Sequence, residues 1–280
     1  MKIGFHVSIS GSLDLSVDRA IEIGCSTFQI FTRNPRSWKA RSIKSLEAEA
    51  FRRKIKSSGI HPVFSHMPYI PNLASSNEEI YKKSLETLLI EKERCRILGI
   101  PFIVTHLGSH TGSGNAKGET QLINAIGTVA DEDGPRLLLE NGSGSGGHMG
   151  SRLSDLLRII KGVGSPSLGV CFDTCHAYAA GYNVPTNEGL RVTLKEIKNT
   201  IGFHRLKLVH LNDSVGELGS GVDHHEHIGM GRIGEEGFRI ILASHLSKRP
   251  LIMETPIDGR RTDKENMRKV LELQDVARTI

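Results

Sequence analysis

A histidine-rich stretch, SGVDHHEHIGMG, covers residues 220–231 and places an aspartate, a glutamate and three histidines in five consecutive positions. In an extended loop, residues two apart point to the same side, so Asp223 and His225 form a natural pair while His224 points away. His227 could join the same side, and the local spacing leaves its participation open. Imidazole nitrogens and carboxylate oxygens suit Zn²⁺, Mn²⁺ and Fe²⁺, so the stretch predicts part of a metal site.

Ligand-type side chains also recur where short apolar runs of the sequence end. The last residues of these runs are His6, Phe31, His66, His106, Glu140, Asp173, His210 and Glu254. Any one of them alone is more often a hydrogen-bonded structural residue, a helix cap or a surface charge. Together, the three carboxylates would repel one another strongly unless a cation compensated them, and the histidines would complete a set of nitrogen and oxygen ligands. The number of ligands exceeds what one ion takes, so we expect at least two metals.

A second short motif, DTCH, extends this set. It places Asp173 and His176 three residues apart, directly after an apolar run. His176 therefore joins Asp223 and His225 as a further candidate ligand.

These residues need a scaffold that brings together positions far apart in the chain. Eight apolar, β-rich runs begin at Lys2, Ser26, His61, Phe102, Arg136, Leu168, Leu206 and Pro250. Their starts lie roughly 25 to 45 residues apart, which is the length of one strand, one helix and two loops. We therefore predict an α/β protein formed by a single (β/α)₈ TIM barrel over residues 1–280, with the metal site at the C-terminal ends of the strands. A doubly wound open sheet is the competing fold, but the Gly/Ser stretch GSGSGGHMG from Gly142, which lies just after a strand, is interpreted as a long βα loop.

Helical periodicity fills the segments between these runs. In the second such segment, a core-facing stripe is predicted for Ile43, Leu46, Ala50 and Ile55, with Gly59 as the stop. In the last segment, the predicted stripe consists of Met267, Val270, Leu271 and Val276.

The composition is that of an ordinary globular protein. Hydrophobic residues make up 38% and charged residues 24% of the 280 positions, which argues against disorder. Apolar runs stay well short of a membrane span, and the N-terminus lacks the apolar segment of a signal peptide, so we expect a cytoplasmic protein. Its four cysteines are expected to be reduced and buried. The net charge of +5 mildly favours a polyanionic partner.

Several of these motifs together resemble the endonuclease IV family, the metal-dependent apurinic/apyrimidinic (AP) endonucleases with a (β/α)₈ barrel. The matching segments are HLGSH (106–110), LLLEN (137–141), GVCFDTCHAYAAGY (169–182), HLND (210–213) and DHHEHIGMG (223–231). The resemblance extends from GFHVS near the N-terminus to METP around Glu254, which is nearly the whole chain.

The resemblance implies three zinc ions held by nine side chains, with Mn²⁺ or Fe²⁺ as alternatives at one site. The implied ligands are His66, His106 and Glu140 for the first ion; Glu140, Asp173, His210 and Glu254 for the second; and His176, Asp223 and His225 for the third. Glu140 would bridge the first two ions, and His227 is left with a structural role. Clustered metals can activate a water and neutralise charge on a phosphoryl group, so Glu140 is also the catalytic residue that the resemblance implies.

The implied reaction is hydrolysis of the phosphodiester bond 5′ to an abasic site, leaving a 3′-hydroxyl and a 5′-deoxyribose phosphate. A 3′-repair diesterase activity is also expected, on double-stranded DNA with abasic or 3′-blocked lesions and by a monomer. The family probes the DNA stack with an Arg and a Tyr at the positions of Arg36 and Tyr69. Trp38, in the same RNPRSW loop as Arg36, is a further candidate for DNA contact and could equally pack beneath its own loop.

The sequence departs from the family pattern at three places near the predicted site. Ser214 and Val215 stand where a small residue and Lys are usual, ENGSGSG replaces ENTAGQG, and Met230 occupies the position of a frequent Glu. None of these departures removes a predicted ligand.

Two other functions fit part of the pattern. A metal-dependent sugar isomerase or epimerase of the same barrel type also gathers His, Glu and Asp around one or two metals. The additional ligands His176, Asp223 and His225, and Arg36 beside Trp38, argue against it. A non-enzymatic DNA-binding barrel gives no reason to collect nine metal ligands.

Overall fold

The strands and helices alternate along the chain as the sequence predicts. The computed structural model describes residues 1–130 and 133–279. Within these ranges the barrel strands are β1 (Ile3–Phe5), β2 (Phe28–Ile30), β3 (Val63–His66), β4 (Phe102–Thr105), β5 (Arg136–Glu140), β6 (Gly169–Asp173), β7 (Leu206–His210) and β10 (Leu251–Met253). A short hairpin is formed by β8 (Asp213–Ser214) and β9 (His225–Glu226). The helices are α1 (Leu15–Ile23), α2 (Ser45–Ser58), α3 (Glu78–Leu98), α4 (Asn115–Gly127), α5 (Leu153–Val163), α6 (Thr174–Ala179), α7 (Asn187–Asn199), α8 (Gly234–Ala243) and α9 (Asp263–Thr279).

The barrel strands form one parallel sheet that curves back on itself. Among the described residues its eight strands follow the order β1-β10-β7-β6-β5-β4-β3-β2, and the paired neighbours in this order run parallel. β1 and β2 meet through a parallel bridge between His6 and Gln29, and Val7 donates a 2.7 Å hydrogen bond to the Gln29 carbonyl. The predicted (β/α)₈ barrel is confirmed.

The alternation of side chains along each strand explains why ligand-type residues meet at one mouth. Six buried residues form a separate apolar cluster: Phe64, Val104, Leu138, Cys171, Leu208 and Ile252. Each lies two positions before one of His66, His106, Glu140, Asp173, His210 and Glu254. Side chains two apart share a face of a strand, so the apolar residue fills the barrel and the polar one lies above it.

Gly4 permits the closest approach of β1 and β2. A Cβ atom on Gly4 would lie 1.7 Å from the carbonyl oxygen of Thr27, so any other residue would push the two strands apart. His6, two residues further on, lies over this contact and enters the mouth.

The helices follow the predicted segments, but two of the predicted faces are wrong in part. Leu46 is 80% exposed, and the buried face of α2 instead carries Ala48 and Phe51. In α9, Leu271 and Val276 are also exposed, and Leu273 is buried beside Met267 and Val270. In both helices the apolar spacing fits more than one face, and packing against the neighbouring elements selects between them.

The cysteines agree with the prediction. Cys25, Cys95, Cys171 and Cys175 are each free and buried. In the part of the chain that the structure describes, no helix combines the length and apolarity required to cross a membrane.

Candidate metal centre

The nine predicted ligands converge at the C-terminal mouth of the barrel. Among the described residues, three groups composed only of His, Asp and Glu have donor atoms within 4.8 Å of one another. They are His66–His106–Glu140, Glu140–Asp173–His210–Glu254 and His176–Asp223–His225. These are the sets that the family resemblance implies for three ions, and Glu140 belongs to two of them.

Glu140, the last residue of β5, belongs to both of the first two groups. Its Oε2 atom lies 3.1 Å from Nε2 of His66 and 3.1 Å from Nε2 of His106. Its other oxygen, Oε1, lies 2.8 Å from Nδ1 of His210. The carboxylate therefore presents one oxygen to each group, as a bridging ligand does.

The two carboxylate oxygens of Asp173, in the motif DTCH, have different roles. Its Oδ1 accepts a 2.8 Å hydrogen bond from the backbone N–H of His176 and so caps α6. Its Oδ2 accepts a 2.7 Å hydrogen bond from Nδ2 of Asn212 and lies 3.7 Å from Nδ1 of His210. The cap fixes the side chain, and Oδ2 is left facing the site.

The third group lies at the outer edge of the mouth. Nε2 of His176 lies 2.9 Å from Oδ1 of Asp223, and Nε2 of His225 lies 3.8 Å from the same oxygen. The antiparallel pairing of β8 with β9 holds His225 in place, with Ser214 opposite it.

The ring orientations of four histidines suit metal binding. In each ring, one nitrogen contacts an oxygen that is not a ligand atom, and the other nitrogen faces the metal groups. For three of them the first nitrogen is Nδ1, which lies 2.7 Å from the Met67 carbonyl in His66, 2.9 Å from the Asn141 carbonyl in His176 and 3.1 Å from the Glu254 carbonyl in His225. In His210 it is Nε2, which lies 3.0 Å from Oε1 of Gln29. Such contacts fix the tautomer and leave a lone pair for a metal. Nε2 of His225 is buried without a hydrogen-bond partner among the described residues, which also fits a metal ligand.

Comparison with known proteins gives this centre a family. The sequence profile described as xylose isomerase-like TIM barrel matches residues 17–276. A protein of Methanoculleus marisnigri named probable endonuclease 4 is 51% identical over 276 residues, which is 97% of this chain and 98% of that protein. The chain belongs to the endonuclease IV family. It is therefore a nuclease, as the sequence predicts.

Solved structures agree with this assignment. Endonuclease IV from Thermus thermophilus superimposes with a TM-score of 0.86 at 36% identity, covering 100% of this chain and 99% of that one. A D-tagatose 3-epimerase-like protein superimposes with a TM-score of 0.74 at 22% identity, covering 100% of this chain and 99% of that one. The epimerase shares the fold only, so the sugar isomerase alternative is not favoured.

Mutual electrostatics keep the ligands of this endonuclease IV centre in charged pairs. Burial raises the pKa of the Glu140 carboxyl, but His210 and His106 outweigh it and hold that pKa well below 4.5. Burial lowers the pKa of His210, but Cys171, Glu254 and Glu140 outweigh it and raise that pKa well above 6.5. Protons and metal ions therefore compete for the same nitrogen atoms.

Three buried amides that the sequence analysis missed orient the ligands. Asn141 accepts a 2.7 Å hydrogen bond from the backbone N–H of Asp173, and Asn212 accepts one of 2.8 Å from the backbone N–H of Glu254. Gln29 donates a 2.8 Å hydrogen bond to Oε1 of Glu254, while its own oxygen contacts His210. For two of them the signal was available, because Asn141 directly follows Glu140 and Asn212 lies two residues after His210, whereas Gln29 lies in β2, which carries no predicted ligand.

His6 directly follows β1 but is absent from the three groups. Its Nδ1 lies 3.0 Å from Oε1 of Glu254 and 3.0 Å from Nε2 of Gln29. Burial lowers the pKa of His6, although Glu254 acts in the opposite direction. His6 thus supports Glu254 from the side of β1.

In the histidine-rich loop, some residues belong to the metal groups and others hold the loop against the barrel. His227 is fully buried, with Nε2 lying 3.0 Å from Oδ1 of Asp258 and Nδ1 lying 3.0 Å from Nδ2 of Asn266. Asp213, also buried, accepts 2.9 Å hydrogen bonds from the backbone N–H groups of Gly229, Gly231 and Ile233. Both residues therefore tie the loop to the barrel, which agrees with a structural role for His227.

The groups open into a cavity of about 640 Å³. Its lining includes Arg36 and Tyr69, both predicted to contact DNA, and also His224 and Val215. His224 thus faces the mouth, although it is absent from the metal groups of the described chain. Trp38 is 36% exposed and does not line this cavity, so its contact with DNA stays a prediction.

Proposed function

We propose that this chain is an AP endonuclease that hydrolyses the phosphodiester bond 5′ to an abasic site in double-stranded DNA. The expected products carry a 3′-hydroxyl on one side and a 5′-deoxyribose phosphate on the other. A 3′-repair diesterase activity on 3′-blocked ends would use the same centre. The chain is further proposed to act as one domain, over residues 1–280, and as a monomer.

The observation that carries this proposal is the set of three ligand groups at the mouth of the barrel. His176, Asp223 and His225 extend the ligand set beyond what one bridged pair of ions requires. A sugar isomerase has no need of this outer group. The full-length similarity to proteins named endonuclease 4 and endonuclease IV supports the same conclusion.

The proposed cofactor is three Zn²⁺ ions, with Mn²⁺ or Fe²⁺ as alternatives at one site. The ligands would be His66, His106, Glu140, Asp173, His176, His210, Asp223, His225 and Glu254. Bound together, such ions supply an ionised water at neutral pH and positive charge against the phosphoryl oxygens. The nitrogen and oxygen donors present here suit that choice, since mixed imidazole and carboxylate sets are typical of Zn²⁺.

The side chains of the chain itself perform three tasks in this proposal. Glu140 holds the first two groups at a fixed separation through its two oxygens. Asn212 and Gln29 donate to the carboxylates of Asp173 and Glu254, and Asn141 holds the backbone of Asp173, so little reorganisation is needed when the phosphate arrives. The third task, contact with DNA, falls to residues at the mouth.

Arg36 and Tyr69 are the proposed DNA contacts at the mouth. Arg36 is exposed and supplies positive charge beside a ring of carboxylates, which favours approach of a phosphate backbone. Tyr69 is 57% exposed, and its ring packs edge-on against Phe31 with centroids 5.0 Å apart. A rigid aromatic at this position can stack on a base where an abasic sugar leaves the duplex open. Trp38 is proposed as a third contact from the same loop as Arg36.

Incision of a labelled duplex with one tetrahydrofuran abasic analogue tests the proposal. The wild-type protein, loaded with Zn²⁺, is compared with Glu140→Gln, and the ends of the product are resolved. We expect a single cut 5′ to the lesion that leaves a 3′-hydroxyl and is lost in the variant. The analogue cannot undergo β-elimination, so a lyase would leave it intact. An intact duplex after incubation with the metal-replete wild type would refute the proposal.

The diesterase activity requires its own substrate. A nicked duplex ending in 3′-phosphoglycolate should be converted to a 3′-hydroxyl by the wild type and not by Glu140→Gln. Conversion by both proteins would show that another centre, or a contaminant, performs the reaction.

A further inference from the structure

Arg36 and Trp38 lie in a long irregular loop that is nevertheless held from below. Within described residues 31–44, the β2–α2 loop contains neither helix nor strand. Arg36, Lys39 and Arg41 are exposed along it. A loop of this length and composition would ordinarily be mobile, so its support has to come from outside the loop.

That support is a group of buried charges between the loop and α3. Glu91 and Arg94 on α3 are 0% and 5% exposed, and Arg33 at the start of the loop is 4% exposed. Burying three charged groups is costly unless each is closely paired. The metal centre does not use any of these three residues. We call Arg33, Glu91 and Arg94, together with the Thr32 hydroxyl, the buried charge cluster.

Arg94 ties the two ends of the loop to one helix. Its Nε donates a 2.7 Å hydrogen bond to Oγ1 of Thr32, and Nη2 donates to the Thr32 carbonyl. Its Nη1 donates a 2.7 Å hydrogen bond to the carbonyl of Arg41. One planar guanidinium therefore bridges positions nine residues apart in the chain, a geometry that Lys could not provide.

Glu91 connects the cluster to the middle of the loop. Its Oε2 accepts a 2.6 Å hydrogen bond from the Thr32 hydroxyl, and its Oε1 lies 3.0 Å from Nε of Arg33. Nη1 of Arg33 in turn donates a 3.1 Å hydrogen bond to the carbonyl of Trp38. The carboxylate thus pairs with the arginine that binds the loop backbone at Trp38, two residues after Arg36.

The supported loop also contacts the segment that carries Tyr69. The backbone N–H of Tyr69 donates a 3.1 Å hydrogen bond to the carbonyl of Pro35. Phe31, the first residue of the loop, packs against the Tyr69 ring. A shift of the loop would therefore displace both proposed DNA-probing residues at once.

We propose that Glu91 and Arg94 are positioning residues, which hold the β2–α2 loop in the one arrangement that presents Arg36, Trp38 and Tyr69 to DNA. That these residues hold the loop follows from their contacts alone. The consequence for DNA binding rests on the proposed function. Neither residue touches the substrate. Their loss should weaken recognition of the abasic duplex and spare the chemistry of the metal centre.

Limited trypsin digestion tests the loop-holding role without any activity. The loop offers cleavage after Arg36, Lys39 and Arg41, so trypsin reports how often it opens. Glu91→Gln keeps the size of the side chain and removes its charge, and Thr32→Val removes the hydroxyl that joins Glu91 to Arg94. Both variants should be nicked within residues 36–41 about ten times faster than the wild type, because hydrogen bonds to charged groups are lost. Glu93→Gln, which changes an exposed residue of α3 paired with Arg96, should be cut at the wild-type rate.

Two outcomes of the digestion would overturn the proposal. Wild-type nicking rates in both Glu91→Gln and Thr32→Val would mean that the cluster does not hold the loop. Cleavage spread over the whole barrel in both variants, with a lower melting temperature and loss of bound zinc, would mean that the cluster supports the barrel as a whole.

Kinetics on two substrates then test the consequence for DNA. For the abasic duplex we expect KM to rise about tenfold in Glu91→Gln with little change in kcat, since only binding geometry is lost. Hydrolysis of bis(p-nitrophenyl) phosphate, which is too small to reach the loop, should stay within about twofold of the wild type. Equal losses on both substrates would overturn the positioning role. A wild type that cleaves neither duplex nor small ester would refute the proposed function, while the trypsin result would still decide whether the cluster holds the loop.

Discussion

The ligands at the inner wall of the mouth differ from those at its outer rim in exposure. The inner residues Glu140, Asp173 and His210 have side chains that are at most 1% exposed. At the rim, the side chain of Asp223 is 42% exposed and that of His225 is 19% exposed. Both regions contribute the same kinds of ligand atoms to adjoining groups, so the difference lies in what surrounds them.

The support beneath the two regions also differs. Inner carboxylates receive hydrogen bonds from buried amides, as Asp173 does from Asn212. At the rim, Asp223 pairs with His176, a residue of the same group. The inner wall is therefore preorganised by the barrel, whereas the rim would depend more on a bound metal ion. We expect substitutions and metal loss to affect the two regions unequally.

Breaking the inner wall should have the largest effect. Asp173→Asn removes one negative charge but retains a good helix-capping residue, so α6 should keep its N-terminus. Because a charge that we propose binds a metal is lost from a buried site, we expect kcat for the abasic duplex to fall on the order of a thousandfold. Incision kinetics and metal content by mass spectrometry provide the measurement. Wild-type rate and metal content in this variant would disprove the role of the inner wall.

The same Asp→Asn change at the rim should reduce incision less than it does at the inner wall. Asp223→Asn removes a carboxylate that is partly solvated, and the other members of its group remain. We expect about a tenfold to hundredfold loss of incision and the loss of roughly one metal per chain, with the inner ions retained. The contrast with Asp173→Asn is the test. Equal losses of metal and rate in the two variants would show that the groups fill and empty as one unit.

The inner wall was also the part of the site easier to predict from the sequence. Glu140 and His210 each end an apolar strand run, and strand alternation places them above Leu138 and Leu208. Barrel topology then brings them together without any knowledge of loops. Asp223 and His225 required the resemblance to a family as well, because a two-residue spacing in a loop does not say what lies opposite.

What the sequence did not reveal depends on tertiary packing. Leu46 fits a helical stripe, yet it is exposed, and α2 buries Phe51 in the core instead. Glu91 and Arg94 belong to the highly charged segment EKER, which is typical of a solvent-facing helix, but they are buried beneath the β2–α2 loop. Such pairs become visible only when two distant segments meet.

Removal of metal should make stability depend on pH in a defined direction. In the folded chain the pKa values of His210 and His176 are raised well above 6.5, so their stabilising contribution is complete below pH 6.5 and is lost as pH rises through the folded value. The pKa values of Glu140 and Glu254 are lowered well below 4.5, so their contribution is present above pH 4.5 and is lost as pH falls through the folded value. Between pH 4.5 and 6.5 both contributions are present.

Protein stripped with a chelator should therefore melt highest between pH 4.5 and 6.5 and a few degrees lower at pH 8. Added Zn²⁺ should reverse the loss at pH 8, because the metal replaces the lost protons as the partner of the carboxylates. Circular dichroism melts with and without Zn²⁺ measure both effects. His176→Asn should flatten the decline, because it removes one of the groups whose pKa is raised. A melting temperature of the stripped protein that rises steadily from about pH 5.5 to 8 would contradict this account.

The smallest effect is expected one residue away from a rim ligand. His224 is exposed and lines the mouth, but among the described residues it belongs to none of the metal groups. Its carbonyl accepts a 3.0 Å hydrogen bond from the N–H of Val215, and His224→Ala retains this backbone contact. We therefore expect His224→Ala to keep its full metal content and to incise within about twofold of the wild type, whereas His225→Ala should lose rim metal. Metal loss in both variants would mean that residues on both sides of the strand bind metal at the rim. The alternation that separates Asp223 and His225 from His224 would then no longer explain how this loop could bind an ion.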